Sequence, residues 1–212
     1  MPLANARFDS LVADAEALAK AGDLPAAAVR ADEALALVPD SATAHRLAAT
    51  IRLALDDAES ALDHFTLAMH FAPEDWEAAR GRAGVLDLRG DAGRAIAAVE
   101  GFLFANPGHG KALLALAQLH YKHGGHDAAV ARLQERLRAE PDDTAALNLL
   151  GLILAREFGD LDAGEKLLQR ALDLAPRRPT ARRGARSGAP AGARLGPGVR
   201  GGVAGDPDWR VG

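Results

Sequence analysis

The segment Ala34-Leu35-Ala36-Leu37-Val38-Pro39 ends in a proline, and segments of the same kind return at residues 68–73 and 171–176. The prolines that end this recurring segment are spaced at 34, 34, 34 and 35 residues: Pro39, Pro73, Pro107, Pro141 and Pro176. Proline cannot continue a helix, and an Asp or Ser after it can cap the next one. Each proline therefore predicts a joint between two helices.

A second set of turn residues divides each unit near its middle. The dipeptides at this place are Gly22-Asp23, Asp56-Asp57, Gly90-Asp91, Gly124-Gly125 and Gly159-Asp160. Glycine allows the left-handed conformation that closes a helix, and aspartate accepts the amide hydrogen bonds that open the next. The segments between the turns are about 12 to 14 residues long, with apolar residues three and four positions apart. Each unit is therefore predicted to be one antiparallel pair of helices.

The composition also favours an all-α fold. Aromatic residues make up only 4% of the chain, so alanine, a strong helix former of small volume, must supply much of the core. The absence of cysteine excludes disulfides, thiolate metal sites and cysteine nucleophiles. No apolar run approaches the ~18 residues of a membrane span. A cytoplasmic location is the expectation.

Small residues at fixed places in each unit carry a family resemblance. One set, at the eighth position of each unit, consists of Ala15, Ala49, Ala83, Ala117 and Gly151; a second, early in the second helix, consists of Ala27, Ala61, Ala95, Ala129 and Gly164. A third alanine position, late in the second helix, holds Ala34, Ala68 and Ala171 but is replaced by Phe102 and Arg136 in the middle units. The pattern resembles the tetratricopeptide repeat. Small side chains allow paired helices to approach within ~8–10 Å.

The resemblance implies a right-handed α-solenoid of five helix pairs within residues 1–176. The expected units are approximately residues 8–41, 42–75, 76–109, 110–143 and 144–178, with Phe158 as an extra residue at the last turn. In this family the first helix of each pair lines a concave groove and the second lies on the convex side. Neighbouring pairs share one continuous core.

The resemblance also implies which side chains face the groove. The candidate peptide-binding residues are Arg46, Arg80, Lys111, Gln118, Tyr121, Lys122, Asn148 and Arg156, with Glu16, Glu77 and Asp87 as acidic points. Five of the eight candidate residues are basic, although residues 1–176 hold 17 basic and 27 acidic side chains. We therefore expect an adaptor that binds a protein or peptide, preferably an acidic one. The alternative is an ordinary solvated helix face.

One known ligand mode of the family is disfavoured by the sequence. Chaperone-binding members clamp a terminal carboxylate with Lys, Asn and Arg side chains at fixed positions. The corresponding positions here hold Val12, Glu16, Leu47, Glu77 and Gly81. The clamp is absent, so capture of chaperone tails by that mechanism is not expected.

No group of residues predicts catalysis. His120, His123 and His126 have spacing that could suit a metal, but helix packing and turn formation are the simpler explanation. Asp56-Asp57 and Asp142-Asp143 are interpreted as helix caps. No cofactor is expected. The alternative function is a substrate-recruiting front of a larger bacterial glycosyl-, sulfo- or methyltransferase or oxygenase.

The last 36 residues, 177–212, break the pattern. They carry eight Arg and two Asp and are rich in Gly, Ala and Pro, which predicts disorder. A linker or an out-of-frame translation is favoured over nucleic-acid binding, because no aromatics interleave with the arginines before Trp209. Without a polar capping helix, the last pair is expected to expose Leu149, Leu167 and Leu168 and to promote homo-oligomers.

Overall fold

The computed structural model describes residues 2–174, and side-chain environments from residue 5 onward. All regular structure in these residues is helical. The ten helices are α1 (Pro2–Ala21), α2 (Leu24–Leu37), α3 (Ala42–Ala54), α4 (Ala58–Phe71), α5 (Trp76–Leu88), α6 (Ala92–Ala105), α7 (Gly110–Lys122), α8 (His126–Ala139), α9 (Thr144–Glu157) and α10 (Leu161–Leu174). The predicted all-α solenoid of five antiparallel helix pairs is confirmed.

The repeat prolines and most of the capping residues lie where the sequence predicts them. Pro39, Pro73, Pro107 and Pro141 each lie two residues beyond the end of an even-numbered helix. Most helices from α2 onward begin after a side chain that accepts a backbone N–H, as Asp23 does from Ala26 at 3.2 Å. α1 is the exception in length: it begins at Pro2, six residues before the expected first unit. Proline fits the first turn of a helix, where its missing N–H has no partner to lose.

The turns inside the helix pairs have one shared conformation. Gly22, Gly90, Gly124 and Gly159 have positive φ, and Asp56 takes the same place in the second unit with φ 63°. Asp56 is therefore not a cap, which corrects the interpretation of Asp56-Asp57 as two capping residues. Only Asp57 caps α4, accepting the Ser60 N–H at 3.1 Å.

The extra residue of the fifth unit is placed in its turn. In the first three units the Asp N–H after the turn donates to a carbonyl five residues back, as Asp23 does to Leu18. In the fifth unit Asp160 donates to Leu154, six residues back, at 3.0 Å. The added residue therefore widens the turn after Glu157 and leaves both helices intact, as expected for Phe158.

The core follows the small-residue positions. Ala15, Ala49 and Ala117 are completely buried, and so are Ala27, Ala61, Ala95 and Ala129. Four buried clusters run along the stack, each shared between neighbouring helix pairs. In the last pair, a Cβ added to Gly151 would lie 2.9 Å from the Gly164 carbonyl oxygen. Glycine at both places thus permits the contact of α9 with α10.

The two departures from alanine have local explanations. Phe102 is buried, and its ring lies 5.2 Å from Trp76 and 5.1 Å from His109, centroid to centroid. The Arg136 side chain occupies the space where a Cβ on Gly110 would lie. Its guanidinium pairs there with Asp143 at 2.7 Å and with Glu140. Tilted and edge-to-face aromatic contacts at Phe102, and an ion pair over a glycine at Arg136, thus replace the alanine contact.

The end of the array differs from the expectation. Leu149, Leu167 and Leu168 are half-buried rather than exposed, and Leu149 and Leu167 pack on the last core cluster. One exposed stripe of α10 is polar, and it consists of Asp162, Glu165, Lys166, Gln169, Arg170 and Asp173. Leu161 and Leu172 remain exposed beside it. The prediction for residues 177–212 lies outside the described residues.

Candidate functional site

Helix packing distinguishes the two sides of the array. Each odd-numbered helix contacts the next odd-numbered helix, in the series α1, α3, α5, α7 and α9. Within residues 2–174 no two even-numbered helices have Cα atoms within 8 Å of each other. The odd-numbered helices therefore lie closer together and form the inner, concave side. The predicted site residues are all on these helices, from α3 to α9.

Two adjoining cavities lie between α5 and α7, and we call them together the α5–α7 groove. One has a volume of about 220 Å³ and is bordered by Arg80, Asp87, Gln118 and Lys122. The other, of about 340 Å³, is bordered by Arg80, Lys111, Leu114 and Gln118. Trp76 contributes to both. The structure thus brings together four of the eight predicted residues: Arg80, Lys111, Gln118 and Lys122.

An ion-paired cluster closes one end of this groove. The Lys122 Nζ donates to Asp87 Oδ2 at 2.7 Å, and the His123 Nε2 lies 2.7 Å from Asp87 Oδ1. The hydrogen bond from Lys122 holds the pKa of Asp87 below its ordinary value, with a smaller contribution from His123, although partial burial acts to raise it. The Asp87 carboxylate therefore stays ionised and links α5 to α7.

The other cations of the groove differ in their partners. Arg80 makes two hydrogen bonds to Glu77 Oε2, at 2.9 and 2.7 Å, but both side chains remain about half exposed. Lys111 is exposed, and it has no carboxylate within ion-pair distance among residues 2–174. Lys111 is thus the cation of the groove that is most available to a ligand, while Arg80 has a weak competing partner.

The remaining predicted residues lie outside the α5–α7 groove. The Arg46 Nε lies 2.9 Å from an oxygen of Asp75, the residue that caps α5. Arg46 also borders a separate cavity between α1 and α3. Tyr121 is half-buried and its hydroxyl lies 3.3 Å from Glu157 Oε1. Asn148 and Arg156 are exposed on α9. The eight residues therefore do not form one continuous site.

Sequence reasoning missed the apolar floor of the groove. Trp76, Val99 and Leu119 contribute to it. Gly84 has no side chain to fill the space, and a Cβ added there would meet no atom within 4 Å. The ion pairs were also missed, although Glu77 and Arg80 have the i, i+3 spacing of helix-surface pairs. The separation of 35 residues between Asp87 and Lys122 is one repeat plus one residue, which is the only sequence signal for that pair.

The three histidines after Leu119 have different neighbours. His120 borders a cavity on the other side of α7, and burial lowers its pKa. His123 pairs with Asp87, and the His126 ring lies 5.7 Å from that of Tyr121. Within the described part of the chain, no three or more His, Asp or Glu side chains are grouped as metal ligands. Each of the three histidines thus has a different set of neighbours in the described structure.

The repeat pattern and the packing agree with a comparison to known families. The profile of the tetratricopeptide repeat matches residues 55–110 and 114–184, which is more than half of the chain. The chain belongs to the tetratricopeptide repeat family. A search among curated proteins found no match. The departures at Phe102 and Arg136 are thus variations within a tetratricopeptide array.

Solved structures of tetratricopeptide proteins have the same fold. MamA of Desulfovibrio magneticus RS-1, from its residue 41, aligns with a TM-score of 0.64 and 14% identity, covering 79% of this chain and 94% of that one. A tetratricopeptide repeat protein of Parabacteroides merdae aligns with a TM-score of 0.68 and 19% identity, covering 81% and 68%. YrrB, described as "a TPR protein with an unusual peptide-binding site", aligns with a TM-score of 0.60 and 20% identity, covering 79% and 86%. These similarities concern the fold.

No helix within residues 2–174 is both long enough and apolar enough to cross a bilayer.

Proposed function

We propose that the chain is a protein-interaction scaffold and that its α5–α7 groove binds a carboxylate-bearing segment of a partner protein. The observation that carries the proposal is the arrangement of Arg80, Lys111 and Lys122 around two adjoining cavities next to Trp76. Cations beside an apolar surface suit a segment in which acidic and apolar side chains alternate or share a helix face.

The charges of the groove differ in how easily they can bind a ligand. Lys111 can bind a ligand carboxylate without breaking an ion pair in the described structure. Arg80 would exchange Glu77 for the ligand, and exposed pairs of this type contribute only about 0.2–1 kcal/mol. Lys122 already shares the less exposed Asp87 carboxylate with His123. Lys111 and Arg80 are therefore proposed as the main cationic anchors for the ligand carboxylates, and Lys122 as part of the border of the groove.

The rigidity of the groove favours binding. Its walls are two helices held by shared buried contacts, including Ala83, Leu86 and Leu116. A preformed receptor surface loses little conformational entropy when a ligand binds. The fold shared with YrrB supports peptide recognition as a function of this scaffold, but YrrB supplies no residue assignment.

The proposal can be tested with defined peptides. A fluorescent peptide with Glu and Asp interspersed among Leu and Phe is compared with a partner peptide in which Lys and Arg replace the acids at the same positions. We expect the acidic peptide to bind more tightly, and its binding to weaken as salt is raised, because partly exposed charge pairs are screened. Equal binding of both peptides, or salt-independent binding, would contradict an electrostatic groove.

A further inference from the structure

The smaller of the two cavities in the α5–α7 groove extends behind the concave surface, and we call it the side-chain pocket. Its apolar lining consists of Trp76, Ala83, Val99, Ala115 and Leu119. Val99 belongs to the second helix α6, so the pocket passes between α5 and α7 and ends at the helix behind them. Its volume of about 220 Å³ is below the ~300–1,000 Å³ of small-molecule sites. The pocket therefore suits one side chain of a partner protein.

Gly84 is the residue that leaves the side-chain pocket open. It is exposed in the middle of α5, and a Cβ added there would meet no atom within 4 Å. Gly81, one turn earlier, is different, because the ring of Phe65 fills the space that its Cβ would need. The equivalents of Gly84 in the other repeats all have side chains, and they are Glu16, Thr50, Gln118 and Leu152. Glycine is unfavourable inside a helix, and internal packing does not explain it at residue 84.

The charged neighbours of the side-chain pocket favour an apolar occupant. Asp87 is the one carboxylate that borders it among the described residues. The two oxygens of this carboxylate already bind Lys122 and His123, at 2.7 Å each. A basic ligand side chain would have to compete with both of them. An apolar side chain buries its surface against Trp76 and Val99 without breaking an ion pair.

We propose that the side-chain pocket binds one large apolar side chain, such as Phe or Leu, of an extended partner segment that has an acidic residue two positions away. The acidic residue pairs with Arg80 or Lys111 in the adjoining cavity. Gly84 determines this specificity, because any larger residue there would occupy the pocket. The inference rests on the proposed function and specifies which acidic segments the groove selects.

The spacing of two positions follows from the geometry of α5. Arg80 borders both cavities, and Gly84 borders only the side-chain pocket. The two residues are about one helical turn apart, which is ~6 Å along the helix axis. In an extended segment, side chains at positions i and i+2 lie on the same face and are ~6–7 Å apart. A segment that runs along the groove can therefore place its acidic and apolar side chains in the two cavities at once.

Peptides that differ at one position test the ligand side of the proposal. Three fluorescent acidic peptides are titrated into the full chain: one with Phe two positions from Glu, one with Ala in place of that Phe, and one with the Phe moved next to the Glu. We expect the first peptide to bind roughly tenfold or more tightly than the second, because the Ala leaves the pocket empty. The third should also bind more weakly, since adjacent side chains of an extended segment lie on opposite faces.

Variants of Gly84 test the pocket itself. Gly84→Leu should bind the Phe peptide about as weakly as the wild type binds the Ala peptide, and Gly84→Ala, the smaller change, should give an intermediate loss. Gly101→Leu is the matched control, because Gly101 is also exposed within a helix with no atom within 4 Å of an added Cβ, but it lies on α6 and does not border the groove. It should bind all three peptides like the wild type. Circular dichroism checks that each variant is folded.

The outcomes separate this inference from the proposed function. If the Phe and Ala peptides bind equally, while binding still weakens with salt and in Lys111→Glu, the groove binds acidic segments without using the side-chain pocket, and only this inference fails. An unchanged preference for Phe in both Gly84 variants, or an equal loss in Gly101→Leu, would also overturn it. If no acidic peptide shows salt-dependent binding, the proposed function fails together with the inference.

Discussion

Asp87 on α5 and Lys122 on α7 are 35 residues apart in sequence, yet the carboxylate oxygen of one lies 2.7 Å from the ammonium nitrogen of the other. The contact joins the third repeat to the fourth at the border of the α5–α7 groove. His123 binds the second oxygen of the same carboxylate. The cluster thus joins α5 to α7 at one end of the groove and also supplies charged side chains there.

The first prediction concerns this cluster. Asp87→Asn removes the charge that Lys122 and His123 share, and the Asp87 side chain is only 15% exposed. We expect a loss of about 1 kcal/mol in the free energy of unfolding, measured by urea denaturation at neutral pH. Glu77→Gln is the control, because the Glu77–Arg80 pair is more exposed and should contribute a few tenths of a kcal/mol. Equal effects of the two substitutions would contradict a structural role for Asp87.

The second prediction concerns the turn of the second helix pair. Asp56 has φ 63°, where the other pairs have glycine. Because a residue with a Cβ is strained in this conformation, Asp56→Gly should stabilise the chain by about 0.5–1 kcal/mol. Thermal unfolding gives the measurement, and Asp40→Gly, at an exposed position between helices, is a comparison without that expected gain. A lower melting temperature for Asp56→Gly would show that the carboxylate has a stabilising contact.

The third prediction concerns the small residues of the core. Ala117 is completely buried between α7 and its neighbours, whereas Ala131 is exposed on α8. Ala117→Leu should overpack the pair and cost about 1–3 kcal/mol, while Ala131→Leu should be nearly neutral. Denaturant unfolding of both variants measures the difference. Similar stabilities would show that the core can rearrange around the larger side chain.

The fourth prediction is a dependence of stability on pH. His45 Nε2 lies 2.9 Å from the Pro39 carbonyl, which can only accept, so that nitrogen carries the hydrogen. Its Nδ1 lies 3.0 Å from His64 Nδ1, within hydrogen-bond distance. Burial lowers the pKa of His64 below the ordinary 6.5, and the neighbouring His45 lowers it further.

The sign of this effect follows from proton binding. Below about pH 6.5 the unfolded chain takes up a proton on His64 that the folded chain resists, so stability falls as the pH decreases through that value. The slope from one such proton is at most about 1.4 kcal/mol per pH unit. His64→Gln should reduce the slope measured by chemical denaturation between about pH 7.5 and 5.5. An unchanged slope would assign the pH dependence to other groups.

The sequence was sufficient to predict the helices because proline and glycine act locally. Residues such as Pro39 and Gly22 end a helix within a few residues, so the spacing of these residues predicted the helix pairs. The buried alanines recur with the same period and could be predicted with them. Ion pairs between repeats were not predictable in this way. The partners of Arg46 and Lys122 depend on the distance and rotation between neighbouring repeats, which no local pattern specifies.

The site prediction was limited for the same reason. Equivalent positions on α3, α5, α7 and α9 were treated as one groove, but of the eight predicted residues only Arg80 and three residues of α7 border the α5–α7 groove. The aromatic floor at Trp76 depends on how α5 packs on α6. Phenylalanine usually lies in the core, and only the structure shows that Phe104 is exposed to solvent.

The central claim is that Lys111 anchors an acidic ligand in the α5–α7 groove. The most direct measurement is a titration of the acidic peptide into wild type, Lys111→Glu and Arg138→Glu, where Arg138 is an exposed control on the convex helix α8. Both substitutions change the net charge equally. We predict that Lys111→Glu weakens binding roughly tenfold or more while Arg138→Glu changes it little. Equal weakening by both variants, or none by either, would contradict the groove as the binding site.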